Sequence, residues 1–314
     1  MLDHSEKLDM NRQKHILTPT ILFSIALLLL YSPPGVSGES NTTADIQNVA
    51  PQVGTLTCCF ESDCSGTYTP SAKTNYTLRC MATVTDNNSY QDISSGNFSF
   101  YMTSSGLSGS ADLDIRYLNS TACNLYGGSG TTETVNCTIS KVAYYADSGS
   151  WTANITVVDL AGNVGYNTKA LTVNELIALE QTSTVSFGSM SIGATGSQTY
   201  PGKVNQSATT TNTGNVNINI SITSPASMAC SQTGSIPIYN ITGNTTAGGT
   251  YPSACHLVAS TTVGKADCPI FGIDIPDQED TAVNAYGVTY WGVSVPSGIR
   301  GTCWADITFN GLKA

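Results

Sequence analysis

Apolar and polar residues alternate in short runs along most of the chain. A period of two predicts β-strands with one buried and one exposed face. Over residues 53–174 the runs are separated by turns rich in Ser, Gly and Asn, such as Thr103–Gly109 and Tyr126–Thr132. Strands are predicted at Gly54–Phe60, Thr77–Thr85, Gly96–Met102, Ala111–Tyr117, Thr134–Ser140, Thr152–Val158 and Thr168–Val173. Short strands at this spacing predict a β-sandwich.

A second block of alternating residues, 184–314, follows a linker at 175–183. Val216, Ile218, Ile220 and Ile222 would face one way, with Asn217, Asn219 and Ser221 opposite. Near the C-terminus, runs at 288–295 and 302–309 flank a Pro296–Gly301 turn and predict a terminal hairpin. The pattern therefore predicts an all-β chain of two consecutive sandwiches.

One apolar run is continuous instead of alternating. Ile21–Leu30 follows basic residues and precedes Pro33, Pro34 and small residues up to Gly38. This layout predicts a signal peptide over 1–38, with Met10 as an alternative start because the residues before it are acidic. The run is short for a spanning helix, which needs about 20 apolar residues; a retained signal anchor is the alternative. We expect the rest, from a lead-in segment at 39–52 onward, to be extracellular or on the cell surface, with no further membrane anchor.

The composition narrows the partners of the exported part. The net charge is −10, and charged residues make up 11% of the chain, against about 25% in ordinary globular domains. Because Lys and Arg are so few, nucleic acids and anionic membrane surfaces are unfavourable binding partners. The expected partners are other surface proteins, glycans, or further copies of the chain.

The chain has ten cysteines, and an even number in an exported chain predicts disulfides. No Cys-x-x-Cys pair is present, which argues against a zinc ribbon or a thioredoxin-like site. The neighbours Cys58 and Cys59 should bond to different partners, and each block can close its own set. Cys80–Cys137 and Cys268–Cys303 are the predicted pairs, and the other connections stay open. The cysteines are Cys58, Cys59, Cys64, Cys80, Cys123, Cys137, Cys230, Cys255, Cys268 and Cys303.

Asn-x-Ser/Thr motifs are dense in both blocks, which predicts N-glycosylation in an exported protein. The alternative is a host that does not glycosylate. The motifs begin at Asn41, Asn75, Asn87, Asn97, Asn119, Asn136, Asn154, Asn205, Asn219, Asn240 and Asn244.

Two motifs carry a resemblance. Trp151-x3-Ile-x-Val-x-Asp159-x2-Gly162-Asn163, preceded by Tyr144–Gly149, resembles the last strands of immunoglobulin-like domains in prokaryotic, especially archaeal, surface proteins. Phe187-Gly188 followed by the Asn-Thr-Gly-Asn turn at 212–215 is similar to another common surface sandwich. The resemblance implies two Ig-like sandwich domains, 53–174 and 184–314, on a cell-surface protein.

Catalytic motifs are lacking. His256 is the one histidine after the leader and lies beside Cys255; on a strand, adjacent side chains face opposite ways, so the two would not form a catalytic pair. Asp112 and Asp114 would share a strand face, as paired glycosidase carboxylates can, although a solvated edge explains them equally. We therefore expect no catalytic residues and no enzymatic activity.

Calcium is the one cofactor that the sequence suggests. Asp274, Asp277, Glu279 and Asp280 surround a proline in a loop whose oxygens suit a hard cation. The spacing matches no EF-hand, and a solvated loop is the alternative. A second candidate combines Asp159 with Asn163, although no further acidic residue lies nearby in sequence.

We expect a non-enzymatic structural or adhesive protein of the cell surface or envelope. One alternative is a filament subunit that donates Asn41–Gln52 as a strand to a neighbour. Another is a carbohydrate-binding module in which aromatic side chains form a sugar platform; packing in the core is the alternative explanation for these residues. The aromatic candidates are Tyr144, Tyr145, Tyr290, Trp291 and Trp304.

Overall fold

The structure is a computed structural model. It describes residues 43–119, 123–181, 184–193, 195–196, 206–245, 255–256, 273–280 and 285–314. The predicted signal peptide lies outside these residues. In the described part, all elements are strands except two short 3-10 helices, Tyr90–Asp92 and Ile238–Asn240. The all-β prediction is therefore confirmed. None of the described residues forms a helix long and apolar enough to span a membrane.

Ten strands form the first sandwich. They make two sheets of five strands each, in the order β1-β4-β8-β7 with β2 beside β4, and β3-β10-β9-β5-β6. All pairs are antiparallel except β3 with β10. The strands are β1 (Gln52–Val53), β2 (Thr57–Phe60), β3 (Thr67–Tyr68), β4 (Tyr76–Thr85), β5 (Ile93–Met102), β6 (Arg116–Asn119), β7 (Asn124–Ser129), β8 (Thr132–Val142), β9 (Gly149–Asp159) and β10 (Val164–Val173).

The core of this sandwich lies between the two sheets. Trp151, Ala153, Ile155 and Val157 are completely buried, which confirms the face predicted from their alternation. Phe100 stacks on Trp151 with 4.5 Å between ring centroids. Burying a large apolar side chain stabilises a fold by about 1.5–3 kcal/mol, so β9 anchors the domain.

Strands β11–β22 belong to the C-terminal part of the chain. One sheet has six strands, in the order β11-β13-β20-β17-β18 with β12 beside β20; two smaller sheets are β19-β14-β22 and β16-β15-β21. The strands are β11 (Leu179–Gln181), β12 (Thr195–Gly196), β13 (Ser207–Asn212), β14 (Ile218–Thr223), β15 (Ser227–Cys230), β16 (Ser235–Pro237), β17 (Ile241–Asn244), β18 (Cys255–His256), β19 (Asp274–Ile275), β20 (Tyr286–Ser294), β21 (Cys303–Trp304) and β22 (Thr308–Lys313).

A second hydrophobic core lies among these strands. Ile218, Ile220 and Ile222 are buried in it, as their alternation predicts, while Ser221 on the other face is also nearly buried. Trp291 packs edge-on against Phe309 with 5.9 Å between ring centroids. The two residues come from different sheets, so this contact ties the large sheet to β22.

Two sequence predictions of local structure are wrong, and a third is right only in part. Residues 111–115 form a turn before β6 instead of a strand, because Asp112 and Arg116 bridge across it. The predicted turn Tyr126–Thr132 is too long: only residues 130–131 form the turn, while residues up to Ser129 belong to β7. The predicted terminal hairpin does not form, since β20 pairs with β13 and β17, while β22 pairs with β14.

The lead-in segment reaches the first sheet at its end. Gln52 and Val53 form β1 and pair with Thr85 and Val84 of β4. The backbone of Pro51 also lies against Gly165, where an added Cβ would come within 1.9 Å of the Pro51 carbonyl oxygen. The last residues of the predicted donor strand therefore complete the sheet of their own chain.

Four cysteines form a row across the first sheet. Cys58 lies opposite Cys80, and Cys80 lies opposite Cys137; Cys123 directly precedes β7, which pairs with β8. All four side chains are buried. Cys58 bonds to Cys80 and Cys123 to Cys137. The predicted Cys80–Cys137 pair is wrong, because each of these cysteines bonds to the strand on its outer side.

The remaining described disulfides are Cys59–Cys64 and Cys230–Cys303. The neighbours Cys58 and Cys59 thus have different partners, as predicted, and each described bond stays within one block. The predicted Cys268–Cys303 pair is wrong because Cys303 bonds to Cys230. Cys268 and the side chain of Cys255 lie outside the description.

Candidate functional site

The junction between the two sandwiches is organised around Asn215, which is 2% exposed. Its Nδ2 donates to the carbonyl oxygens of Ala146 at 2.9 Å and Asn174 at 3.0 Å. Its Oδ1 accepts from the backbone N–H of Leu176 at 2.6 Å. A single buried side chain therefore joins the second sandwich to the first sandwich and to the linker.

The rest of the Asn-Thr-Gly-Asn turn supports this contact. Asn212 accepts from the Gly214 N–H at 2.9 Å and donates to the carbonyl of Pro276 at 3.1 Å. A Cβ at Gly214 would lie 2.0 Å from the Leu176 carbonyl oxygen, so only glycine lets the two backbones approach this closely. The sequence marked this turn as a strand connection; its role at the junction depends on residues that lie far away in sequence.

Three carboxylates meet beside this turn, and we call Asp112, Asp114 and Asp280 the junction aspartate cluster. A carboxylate oxygen of each lies within 4.8 Å of one from the others. The Asp280 N–H donates to Asp114 Oδ2, and the Leu113 N–H donates to Asp280 Oδ2, both at 3.2 Å. Asp112 and Asp114 were predicted to share a strand face; instead they lie on the turn that precedes β6.

The junction is unfavourable for negative charge. Burial, followed by the charges of Asp280 and Asp112, raises the pKa of Asp114 to about 7. Burial and the charge of Asp277 raise the pKa of Asp147 to about 6. Burial also raises the pKa of Asp277 itself. Asp114 and Asp147 therefore gain protons as the pH falls from neutral to mildly acidic values.

Of the four predicted calcium ligands, the structure brings only Asp280 into the junction aspartate cluster. Asp277 donates its N–H to Asn217 Oδ1 at 3.1 Å, and its charge reaches Asp147 together with that of Glu279. Asp274 lies on β19 opposite Asn219, on an exposed position. A calcium ion bound by all four residues thus stays a prediction that the observed placement does not favour.

In the structure, Asn163 lies against Asp159 as a hydrogen-bond donor. Its backbone N–H and Nδ2 both donate to the Asp159 carboxylate, at 2.7 Å and 3.0 Å. This arrangement closes the tight turn between β9 and β10. The acidic partners that the sequence lacked near Asp159 are present in space: Asp86 and Asp92.

The five aromatic candidates do not form one platform. Tyr144 and Tyr145 pack edge-on against each other in the first sandwich. Trp291 is buried in the second core, whereas Trp304 is 56% exposed on β21. Trp304 lines an open pocket of about 920 Å³ together with Phe187, beside the Cys230–Cys303 disulfide.

The structure separates the predicted glycosylation positions by exposure. Asn154 and Asn240 are only 7% and 9% exposed, so the folded chain does not present them to a glycan. Asn75, Asn87 and Asn97 are exposed and remain predicted sites. Asn41 and Asn205 lie outside the described residues. His256 forms β18 with Cys255 and pairs with Thr242, but its side chain is not among those described.

No family model and no curated protein matches the chain. Solved structures give remote similarities. Latent PorU from Porphyromonas gingivalis matches at 15% identity and a TM-score of 0.27, over 83% of this chain and 20% of that one. Promiscuous carbohydrate-binding modules of the β-sandwich superfamily match at 13% identity and a TM-score of 0.23, over 85% and 100%.

BcpA, the major pilin subunit of Bacillus cereus, matches at 9% identity and a TM-score of 0.27, over 85% of this chain and 67% of that one. The chain thus spans one fifth of the PorU chain and about two thirds of the pilin. These similarities are too remote to carry an argument about function. The fold assignment rests on the strand order and the cores described above.

Proposed function

We propose that the protein is an exported, non-enzymatic structural or adhesive component of the cell surface or envelope. The observation that carries the proposal is the buried cysteine row in the first sheet, where the disulfides Cys58–Cys80 and Cys123–Cys137 lie side by side. Disulfides form and persist in oxidising compartments and are rare in the cytosol. They also limit the unfolded state, which suits a protein that must last outside the cell.

The junction supports a structural role as well. Asn215 makes three hydrogen bonds, two to the first sandwich and one to the linker, and the ion pair Lys73–Glu180 connects the first sandwich to β11. The carboxylates Asp114 and Asp280 bind each other's loops. The raised pKa of Asp114 is explained by this packing role without a reaction.

The test is to examine the native protein in its own cells. Surface labelling of intact cells, followed by non-reducing mass spectrometry, should recover a chain that lacks residues 1–38 and carries oxidised cysteines. A strain without the gene should lose attachment or envelope integrity, and the wild-type gene should restore it. Recovery of a reduced chain from the cytosol would contradict the proposal.

A further inference from the structure

A second acidic cluster lies at the other end of β9 from the junction, and we call Asp86, Asp92 and Asp159 the distal aspartate cluster. Asp147 of the junction lies two residues before β9, and Asp159 is the last residue of β9. The strand has 11 residues, so its two ends are about 33 Å apart. One carboxylate oxygen of each distal aspartate lies within 4.8 Å of one from each of the others.

The three side chains come from both sheets. Asp86 follows the last residue of β4 in one sheet, Asp159 ends β9 in the other, and Asp92 ends the 3-10 helix that leads into β5. The cluster therefore closes the end of the sandwich, where the loops of both sheets converge above the core.

Burial makes this cluster unusual. Asp86 is 0% and Asp159 is 2% exposed. Asp86 Oδ1 accepts from the Asn88 N–H at 2.8 Å, whereas Asp86 Oδ2 is buried without a hydrogen-bond partner. Leaving a buried polar atom unpaired costs about 1–3 kcal/mol, and more for a charged group. The unpaired oxygen of Asp86 thus indicates a ligand that accepts its electron pairs.

Among the described residues, no Lys or Arg forms an ion pair with the distal aspartate cluster. The two described ion pairs, Lys73–Glu180 and Lys313–Glu175, lie elsewhere. Asp86, Asp92 and Asp159 each bring a carboxylate oxygen to within 4.8 Å of the others. Like charges this close repel one another strongly in a low-dielectric site, and a bound cation would remove that repulsion.

Asp159 is already held in position. Its carboxylate accepts hydrogen bonds from the Asn163 N–H and Nδ2, at 2.7 Å and 3.0 Å, and from Asn48 Nδ2 at 2.7 Å. These bonds fix the orientation of the carboxylate. Such outer hydrogen bonds are what fix ligands at metal sites.

We propose that Asp86, Asp92 and Asp159 bind a calcium ion. Calcium takes six to eight oxygen ligands in flexible geometry, whereas magnesium demands a near-ideal octahedron. Three carboxylates on converging loops suit the former, with backbone carbonyl oxygens and water completing the shell. Extracellular calcium modules bind with Kd values of about 10⁻⁴–10⁻³ M, the range that we expect here.

An ion at this position would clamp the two sheets together. It would also fix the start of the domain, because Asn48 bonds to Asp159 and the Val49 N–H donates to Asn88 Oδ1 at 2.9 Å, in the same loop as Asp86. Calcium would thus order the 86–92 loop and the chain that leads into β1.

Calorimetric titration of the purified exported protein, after removal of metal with EDTA, tests the proposal. CaCl₂ should bind and raise the melting temperature, and MgCl₂ at the same concentration should do so much less. Asp86→Asn keeps the shape of the side chain and should weaken calcium binding at least about tenfold. Loss of a residue that only supports a metal ligand already costs about tenfold or more in affinity. Asp92→Asn should act in the same direction.

Two matched variants separate this site from other acidic positions. Asp280→Asn alters the junction aspartate cluster, and Asp306→Asn alters an exposed residue after β21; both should retain the wild-type calcium response of the distal site. Absence of calcium binding at CaCl₂ concentrations up to about ten times the expected Kd would overturn the proposal. So would wild-type affinity in folded Asp86→Asn, or an equal response to magnesium.

Discussion

Asn215 in the second sandwich donates its side-chain amide to the carbonyl oxygen of Ala146 in the first at 2.9 Å. Both residues are buried. The same side chain also donates to the carbonyl oxygen of Asn174, at the end of the first sandwich, and accepts from the N–H of Leu176 in the linker. One amide thus satisfies backbone groups of three residues, which makes the junction sensitive to a single substitution.

Replacing Asn215 by alanine should destabilise the protein by about 1–3 kcal/mol, because the buried carbonyl and N–H groups lose their partner. Limited proteolysis should then cut the linker near Leu176 faster than in the wild type. Asn124, which is exposed on β7, is the matched control, and Asn124→Ala should leave both measurements unchanged. Equal protease resistance of Asn215→Ala would argue against the junction as described.

The disulfides should contribute to stability in the order of the loops they close. Cys230–Cys303 closes a loop of 73 residues, Cys58–Cys80 one of 22, Cys123–Cys137 one of 14 and Cys59–Cys64 one of 5. In the same order, the loop-closure entropy corresponds to about 4, 3, 3 and 2 kcal/mol at 25 °C. Denaturant unfolding of the four double Cys→Ser variants measures this. A largest loss for the Cys59–Cys64 variant would contradict the order.

The cysteine row should permit disulfide exchange. In Cys58→Ser, the freed Cys80 thiol lies on the strand position opposite Cys137, where directly paired Cβ atoms are about 5 Å apart. Its thiolate can attack the Cys137 sulfur, forming Cys80–Cys137 and releasing Cys123 as a thiolate. Non-reducing peptide mapping at mildly alkaline pH should detect the new pair.

Cys59→Ser provides the control for this exchange. It frees Cys64, which lies outside the row, so the buried disulfides should keep their native pairing. Native pairing in Cys58→Ser after long incubation, with Cys80 still a free thiol, would show that the row is too rigid for exchange.

Stability should depend on pH through Asp114. Its pKa is raised to about 7 in the folded protein, so the folded state binds this proton more tightly than the unfolded state. The associated stabilisation is complete below about pH 4, the ordinary range of the group, and is lost as the pH rises through 7. Asp112, Asp147, Asp277, Glu279, Asp280 and Tyr145 are the other titratable groups that face this region.

The variant Asp114→Asn removes this titration. Its melting temperature in EDTA-containing buffer should exceed that of the wild type at pH 8, and the difference should shrink towards pH 4. Asp306→Asn should follow the wild-type curve. Parallel curves for Asp114→Asn and the wild type would contradict the assignment.

Local patterns predicted most of the strands of the first block correctly. The alternation around Trp151 and around Ile218 gave the buried faces, since burial on one side of a strand repeats every second residue. The terminal hairpin failed because β20 and β22 find partners far away in sequence. Adjacent apolar runs predict a hairpin only when no other strand competes for their edges.

The disulfide pairing shows the same limit. The sequence indicated that Cys58 and Cys59 have different partners, which holds. It placed Cys80 with Cys137 across two core strands, and these two residues do lie opposite each other. A cysteine on a central strand has a neighbour on each side, however, and spacing along the chain does not choose between them.

The sequence by itself determined the all-β class, the alternating cores and the presence of several disulfides, because these follow from residue types and periods that are local to the chain. The tertiary structure decided which acidic residues meet. Asp159 was recognised as a turn residue without an acidic partner, and only the packing of two sheets brings Asp86 and Asp92 to it. Loops at the end of a sandwich converge because their strands pair, and strand order is a property of the whole fold.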